Sequence, residues 1–210
     1  MTVVVPAAQP TPRLWRGGRT WEIGRDPADA DYPDGDYRLW VGRATIERSA
    51  DYSHFAAAER LHVLLAGDGL RLHFRQPDAT VELATRQACA FSGERPLHAE
   101  LLGATVTAFN LVYRAGMTSG AGFVRLDGRP AAHTVTVAAG TTHTQIVHAV
   151  TGRAVLERSG GEHRLGEGDT ALWNVSGPAT ERFVVRSDDG PAELLVAFVC
   201  DPPAPATAAR

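Results

Sequence analysis

The side chains with the widest chemical reach in this 210-residue chain are eight histidines, two cysteines and the carboxylates. Their spacing is uncooperative. Ser53 and His54 are adjacent in sequence, which does not make a nucleophile and its base, and no Gly-X-Ser-X-Gly elbow is present. Glu22 and Glu59 could serve as an acid and a base only if a partner met them in space. His54, His62 and His73 are scattered. His62 and His73 could approach across neighbouring strands, but no carboxylate joins them at a ligand spacing. Cys89 and Cys200 both lie in apolar strand patterns, where a thiol is inert core. The tryptophans Trp15, Trp21, Trp40 and Trp173 are either strand packing or the aromatic wall of a pocket.

Composition removes further classes. Every one of the 21 basic side chains is an arginine. Without lysine there is no Schiff base, no lysine general base and no phosphate-binding loop of the Walker type. The net charge of −3 carries no footprint for nucleic acid or an acidic membrane. No apolar run reaches the length of a membrane span, and the N-terminus has no leader-like pattern. With two reduced thiols, these features make a cytoplasmic protein the expectation.

The elements that must position any site are strands. Helical periodicity is confined to Ala56–Arg60, whereas short apolar alternations bounded by glycine and aspartate recur throughout. Sixteen strands are predicted, the first at Thr20–Ile23 and the last at Ala192–Cys200. That spacing predicts an all-β sandwich or barrel. Residues 1–12 and the Pro/Ala tail 201–210 are expected to be disordered. Asp26–Asp36, with two prolines and five aspartates, is read as a solvated loop or a flap over a pocket.

From Val147 to Trp173 the chain runs strand, glycine, hairpin, Gly166-Glu167-Gly168-Asp169 corner, strand. This resembles a cupin barrel, and Leu64-Leu65-Ala66-Gly67-Asp68-Gly69-Leu70 is a weaker echo. Two such units make an all-β bicupin with little helix, one barrel over 13–113 and the other over 114–200. Cupins often hold a metal on a His-X-His pair, a carboxylate and a later histidine. Here those positions fall near Thr141 and His143, and near Pro178 and Ala179, so the donor set is missing. His148, five residues from His143, faces the other side of a strand. No metal and no cofactor are expected.

Four blocks in the first half narrow the resemblance. They are Trp15–Ile23, Ser53-His54-Phe55 with Glu59-Arg60, Phe91-Ser92-Gly93-Glu94, and Ala108–Arg114. Together they resemble the HutD/Ves family of bacterial bicupins. Thr20, Glu22, Ser53, Phe55, Arg60, Gly93, Phe109 and Asn110 match the family pattern in kind. Two family arginines are replaced by Trp21 and Trp40, a serine by Gly42, and an aspartate by Ala108. The resemblance implies a non-catalytic protein that binds a small molecule such as a metabolic intermediate, in a regulatory or stress-related role. Thr20, Glu22, Ser53, Arg60 and Asn110 would supply polar contacts, and Trp21, Trp40 and Phe55 the walls. With two arginines gone, a flat apolar or cationic ligand is expected. The alternatives are a metal-dependent isomerase or dioxygenase, and an interaction protein with a decayed pocket. No nucleic-acid or membrane partner is expected, and a homodimer is left open.

Overall fold

The computed structural model describes residues 1–31 and 36–202. The tail expected to be disordered, and the centre of the Asp26–Asp36 loop expected as a flap, lie largely outside the described residues. Among the described residues the structure is strand and turn throughout, with no helix. None could therefore cross a membrane as a helix.

The chain divides into two compact units, Pro10–Ala115 and a second made of Met1–Gln9 with the chain from Gly116 onward. The first is an insertion between the opening strand of the second and its remainder. We call them the inserted unit and the split unit.

In the inserted unit, a six-stranded antiparallel sheet has the order β2-β3-β4-β11-β6-β9. Its strands are β2 (Arg13–Trp15), β3 (Gly18–Asp26), β4 (Leu39–Ile46), β11 (Val106–Arg114), β6 (Ala58–Ala66) and β9 (Ala88–Ser92). A four-stranded sheet, β5-β10-β7-β8, completes the unit with β5 (Ala50–Asp51), β10 (Leu97–Leu101), β7 (Leu70–Phe74) and β8 (Ala79–Leu83). Alternation builds the core. In β7, Leu70, Leu72 and Phe74 are buried while Arg71 and His73 are not. They pack with Leu64, Leu83, Leu97, Val106 and Ala108. A smaller apolar group, Tyr37, Trp40, Phe55, Ala58 and Val112, lies apart from them.

The split unit repeats the plan. Its five-stranded sheet has the order β1-β17-β14-β19-β12. These are β1 (Val3–Val5), β17 (Thr170–Ser176), β14 (Thr142–Thr151), β19 (Ala192–Cys200) and β12 (Thr118–Leu126). Opposite it is β13-β18-β15-β16, formed by β13 (Ala131–Val137), β18 (Ala179–Ser187), β15 (Ala154–Arg158) and β16 (Gly161–Leu165). The core joins Val147, Leu156, Leu165, Trp173, Phe183 and Leu194.

Three sequence readings need correction. Val3–Val5, expected to be disordered, pairs with Thr170–Leu172. The carboxylate of Asp169 holds this segment, accepting from Ala7 N at 2.8 Å and from Gly166 N at 2.8 Å. Three β-branched residues have strand propensity, and the partner that orders them lies too far along the chain for a local pattern to reveal. Second, Ala56–Arg60 is not helical. Ala57 sits at a positive φ of 51° and β6 begins at Ala58. Third, β2 and β5 are too short to leave a periodic trace. The Gly-Asp corner forms as read, with Gly168 at φ 84°.

Candidate functional site

Asn110 stands on β11 with Gly42 on one side and His62 on the other. It is fully buried, as is His62. Its Oδ1 accepts from Arg60 Nε at 3.0 Å and from Arg60 Nη2 at 2.7 Å. An arginine can only donate, so this atom is the amide oxygen. The His62 Nδ1 contact to the same oxygen, at 2.7 Å, must then also be a donation. That fixes the tautomer: the neutral ring carries its proton on Nδ1, and Nε2 faces the Tyr52 hydroxyl at 3.5 Å as an acceptor. Burial, and then the Arg60 charge, push the His62 pKa down to about 3. Burial raises that of the Tyr52 hydroxyl, which stays a phenol. One amide oxygen thus sets both the pose of a guanidinium and the proton position of an imidazole.

Arg60 is also laid against rings. Its guanidinium carbon is 4.4 Å from the Tyr52 ring centroid and 5.9 Å from that of Phe55. The loop that brings Phe55 there is tied to the turn after β9. Phe55 N donates to Gly93 O, Gly93 N donates to Ala58 O, and Glu94 Oε1 accepts from Ala57 N at 2.8 Å. A Cβ on Gly93 would lie 2.9 Å from Phe55 Cβ, so a side chain there would displace the loop.

These groups border a cavity of about 200 Å³. Arg13, Trp15, Thr20, Tyr52, Ser53 and His62 line it with Phe55 and Arg60, and Leu14, Ala44 and Ile46 complete it. The described lining contains two arginines and no carboxylate. Trp15 Nε1 is buried without a hydrogen-bond partner.

Four of the eight residues singled out from sequence therefore meet at one cavity: Thr20, Ser53, Phe55 and Arg60. Asn110 supports it from behind. Trp21, Glu22 and Trp40 do not line it. Trp21 lies under Arg43, whose guanidinium carbon is 5.1 Å from its ring. Trp40 is core, and its indole donates to Glu22 Oε2 at 3.0 Å while Arg25 holds Glu22 Oε1 at 3.3 Å. The Trp40 ring lies over Gly42, where any Cβ would overlap it. Trp40 and Gly42 thus depart from the family pattern as one packed unit. Arg13, Trp15, Tyr52 and His62 were missed as site residues. The available signal was the pairing of β6 with β11, which puts Arg60 and His62, two residues apart, on the strand face beside Asn110.

The positions where a cupin holds its metal carry no donor set in this chain. Thr141 Oγ1 donates to Ala138 O, and His143 Nε2 is 3.1 Å from Gln145 Oε1. His148 is buried against Thr170. Among the described residues no three His, Cys, Asp or Glu side chains converge as ligands.

The model of the HutD family matches residues 7–189. The chain belongs to the HutD family. A Pseudomonas putida protein described as an uncharacterised 21.2 kDa protein in the hutC 3′ region is 37% identical over 157 residues, covering 70% of this chain and 78% of that protein. A conserved protein of unknown function from Pseudomonas aeruginosa PAO1 has a similar fold, with a TM-score of 0.81 at 24% identity, over 96% of this chain and 100% of that one. HutD from Pseudomonas fluorescens SBW25, solved in a formate condition, gives 0.69 at 24% identity over 94% and 98%. The oxalate decarboxylase of Lactobacillus farciminis, a formate complex, gives 0.64 at 10% identity over 93% and 85%. The architecture of this HutD-family chain is thus the bicupin one.

Proposed function

We propose that the cavity of the inserted unit binds a small organic anion, and that the protein acts as a non-catalytic, cytoplasmic ligand-binding member of its family. The observation that carries this reading is the Arg60 guanidinium, pinned on Asn110 and laid against the Tyr52 ring, at a cavity lined by a second arginine and no carboxylate. A guanidinium held this way is a preorganised receptor for a carboxylate. The hydroxyls of Thr20 and Ser53 are further donors around the same space.

The expected preference for a flat apolar or cationic ligand rested on Trp21 and Trp40. Neither lines the cavity, and that preference is replaced here. The P. putida relative named for its position near hutC supports a role beside a metabolic pathway. The metal-dependent alternative lacks its donors at the cupin ligand positions.

Calorimetric titration of the full chain with formate, acetate and urocanate at constant ionic strength tests the proposal, with choline as the cationic control. Anion binding that falls at least about tenfold in Arg60→Gln, with choline silent, is the expected result. Thr20→Val, which leaves the Arg60–Asn110 network in place, should weaken binding less. Binding indifferent to Arg60, or a preference for choline, would sink the assignment.

A further inference from the structure

The split unit contains an open groove of about 820 Å³, within the size range of small-molecule pockets. Phe123, Phe183, Phe198, His133, His143 and Gln145 are among the side chains that line it. It is built from both sheets. His133 on β13 stacks on Phe183 with ring centroids 4.8 Å apart and planes at 11°. His143 on β14 stacks on Phe198 at 5.1 Å and 17°. The described lining contains no Asp, Glu or Arg. Burial holds the pKa of both histidines below the ordinary value, so both rings are neutral at pH 7.

Two polar details give the groove direction. Gln145 Nε2 donates to Ala197 O at 2.8 Å, which turns its Oε1 toward His143. His143 therefore carries its proton on Nε2 and keeps Nδ1 as an acceptor. His133 Nε2 is buried without a hydrogen-bond partner and becomes reachable from the groove only when its ring turns or a neighbour shifts. The room is made by small residues on the edge strand. A Cβ on Gly120 would come within 2.7 Å of the Phe198 ring, so glycine lets that ring lie against β12. At Gly122 a Cβ would meet nothing within 4 Å, and the space beside it is groove.

We infer that this groove is a second binding site, for an uncharged planar aromatic molecule carrying a hydrogen-bond donor. Rings stacked on rings offer flat apolar faces, and the absence of lining charge disfavours an ion, whose desolvation nothing would offset. A hydroxyl or ring N–H on the ligand would meet an imidazole acceptor.

The test uses the full chain and the probe 2-naphthol, with 2-naphthoate as its charged counterpart, followed by calorimetry and by the histidine ring resonances in NMR. The expected result, read in the Arg60→Gln background so that the carboxylate has no other receptor, is 2-naphthol binding at least about tenfold tighter than 2-naphthoate, with the His133 and His143 resonances moving. Gly122→Leu fills the groove and should weaken 2-naphthol about tenfold or more, while Arg60→Gln should leave it unchanged. His143→Phe keeps a stacking ring and loses the acceptor, giving an independent reading should Gly122→Leu disturb the strand. Equal affinity for the two probes, indifference to both groove variants, or loss of binding in Arg60→Gln would overturn the inference. Because the Arg60 cavity is read with small anions, either site can fail while the other stands.

Discussion

The two units share one architecture and present opposite interiors. In the inserted unit the polar groups are buried, charged and shared: one amide oxygen serves Arg60 and His62 together. In the split unit the groove carries neutral, stacked rings, with His143 on Phe198 and His133 on Phe183, and the Arg158–Glu181 ion pair lies outside its lining. The difference teaches that a β-sandwich of this kind does not dictate its ligand. A change in which two or three strand residues point inward separates a cavity lined by arginines from an aromatic groove without lining charge. It also predicts unequal fragility. A shared network fails as a whole when its hub is lost, whereas a stacked lining loses contacts piecemeal.

The largest expected effect tests the hub. Asn110→Ala strands a guanidinium and an imidazole in the interior and should destabilise the inserted unit by roughly 3 kcal/mol. Trp15, Trp21 and Trp40 lie in that unit and Trp173 in the other, so tryptophan fluorescence in a Trp173→Phe background follows the inserted unit during urea unfolding. A loss under about 1 kcal/mol would show that the network is not shared as drawn.

Acid should distinguish the units next. The folded-state pKa of His62 is depressed to about 3. Between that value and its unfolded value the unfolded chain binds a proton that the native state refuses. Stability therefore falls as pH drops through the unfolded pKa, by about 2 kcal/mol from pH 7 to pH 5. His62→Gln should flatten most of that slope. A slope unchanged by the variant would remove His62 as its origin.

Smaller still is the coupling of Gly42 to Trp40. Gly42→Ser drives a side chain into the Trp40 ring and should cost about 1.5 kcal/mol. In a Trp40→Arg background the same change should cost far less, and a double-mutant cycle measures the difference. Additive effects would mean that the two positions drifted independently. The smallest effect concerns the split unit. Asp169→Ala removes the acceptor for Ala7 N and Gly166 N and should cost about 1 kcal/mol in the Trp173 signal alone.

The sequence was most legible where patterns are local. Alternation in β7 and the Gly-Asp corner before β17 needed only neighbouring residues, and both form as read. The family blocks carried Thr20, Ser53, Phe55, Arg60 and Asn110 to one place. What they could not carry was facing. Trp40 and Glu22 share a sheet with Arg60, yet they satisfy each other through the indole N–H instead of opening onto the cavity. Tyr52 and His62 escaped notice because each is unremarkable alone. Only the strand register makes them neighbours. In the split unit, His133 lies in a plain alternation on an edge strand, and its stacking on Phe183 depends on the β13–β18 pairing.

The pairing of Val3–Val5 with β17 has a consequence in time. On the ribosome the first strand of the split unit is made early, and its partner around Thr170 emerges only after the whole inserted unit. At ordinary elongation rates that interval is on the order of ten seconds. The inserted unit has all its strands in one stretch and can close during this wait. The split unit can complete its five-stranded sheet only after β19 has emerged, with the apolar strand β1 held over until then. A charge placed within Val3–Val5 should therefore lower the yield of the folded split unit more than that of the inserted unit.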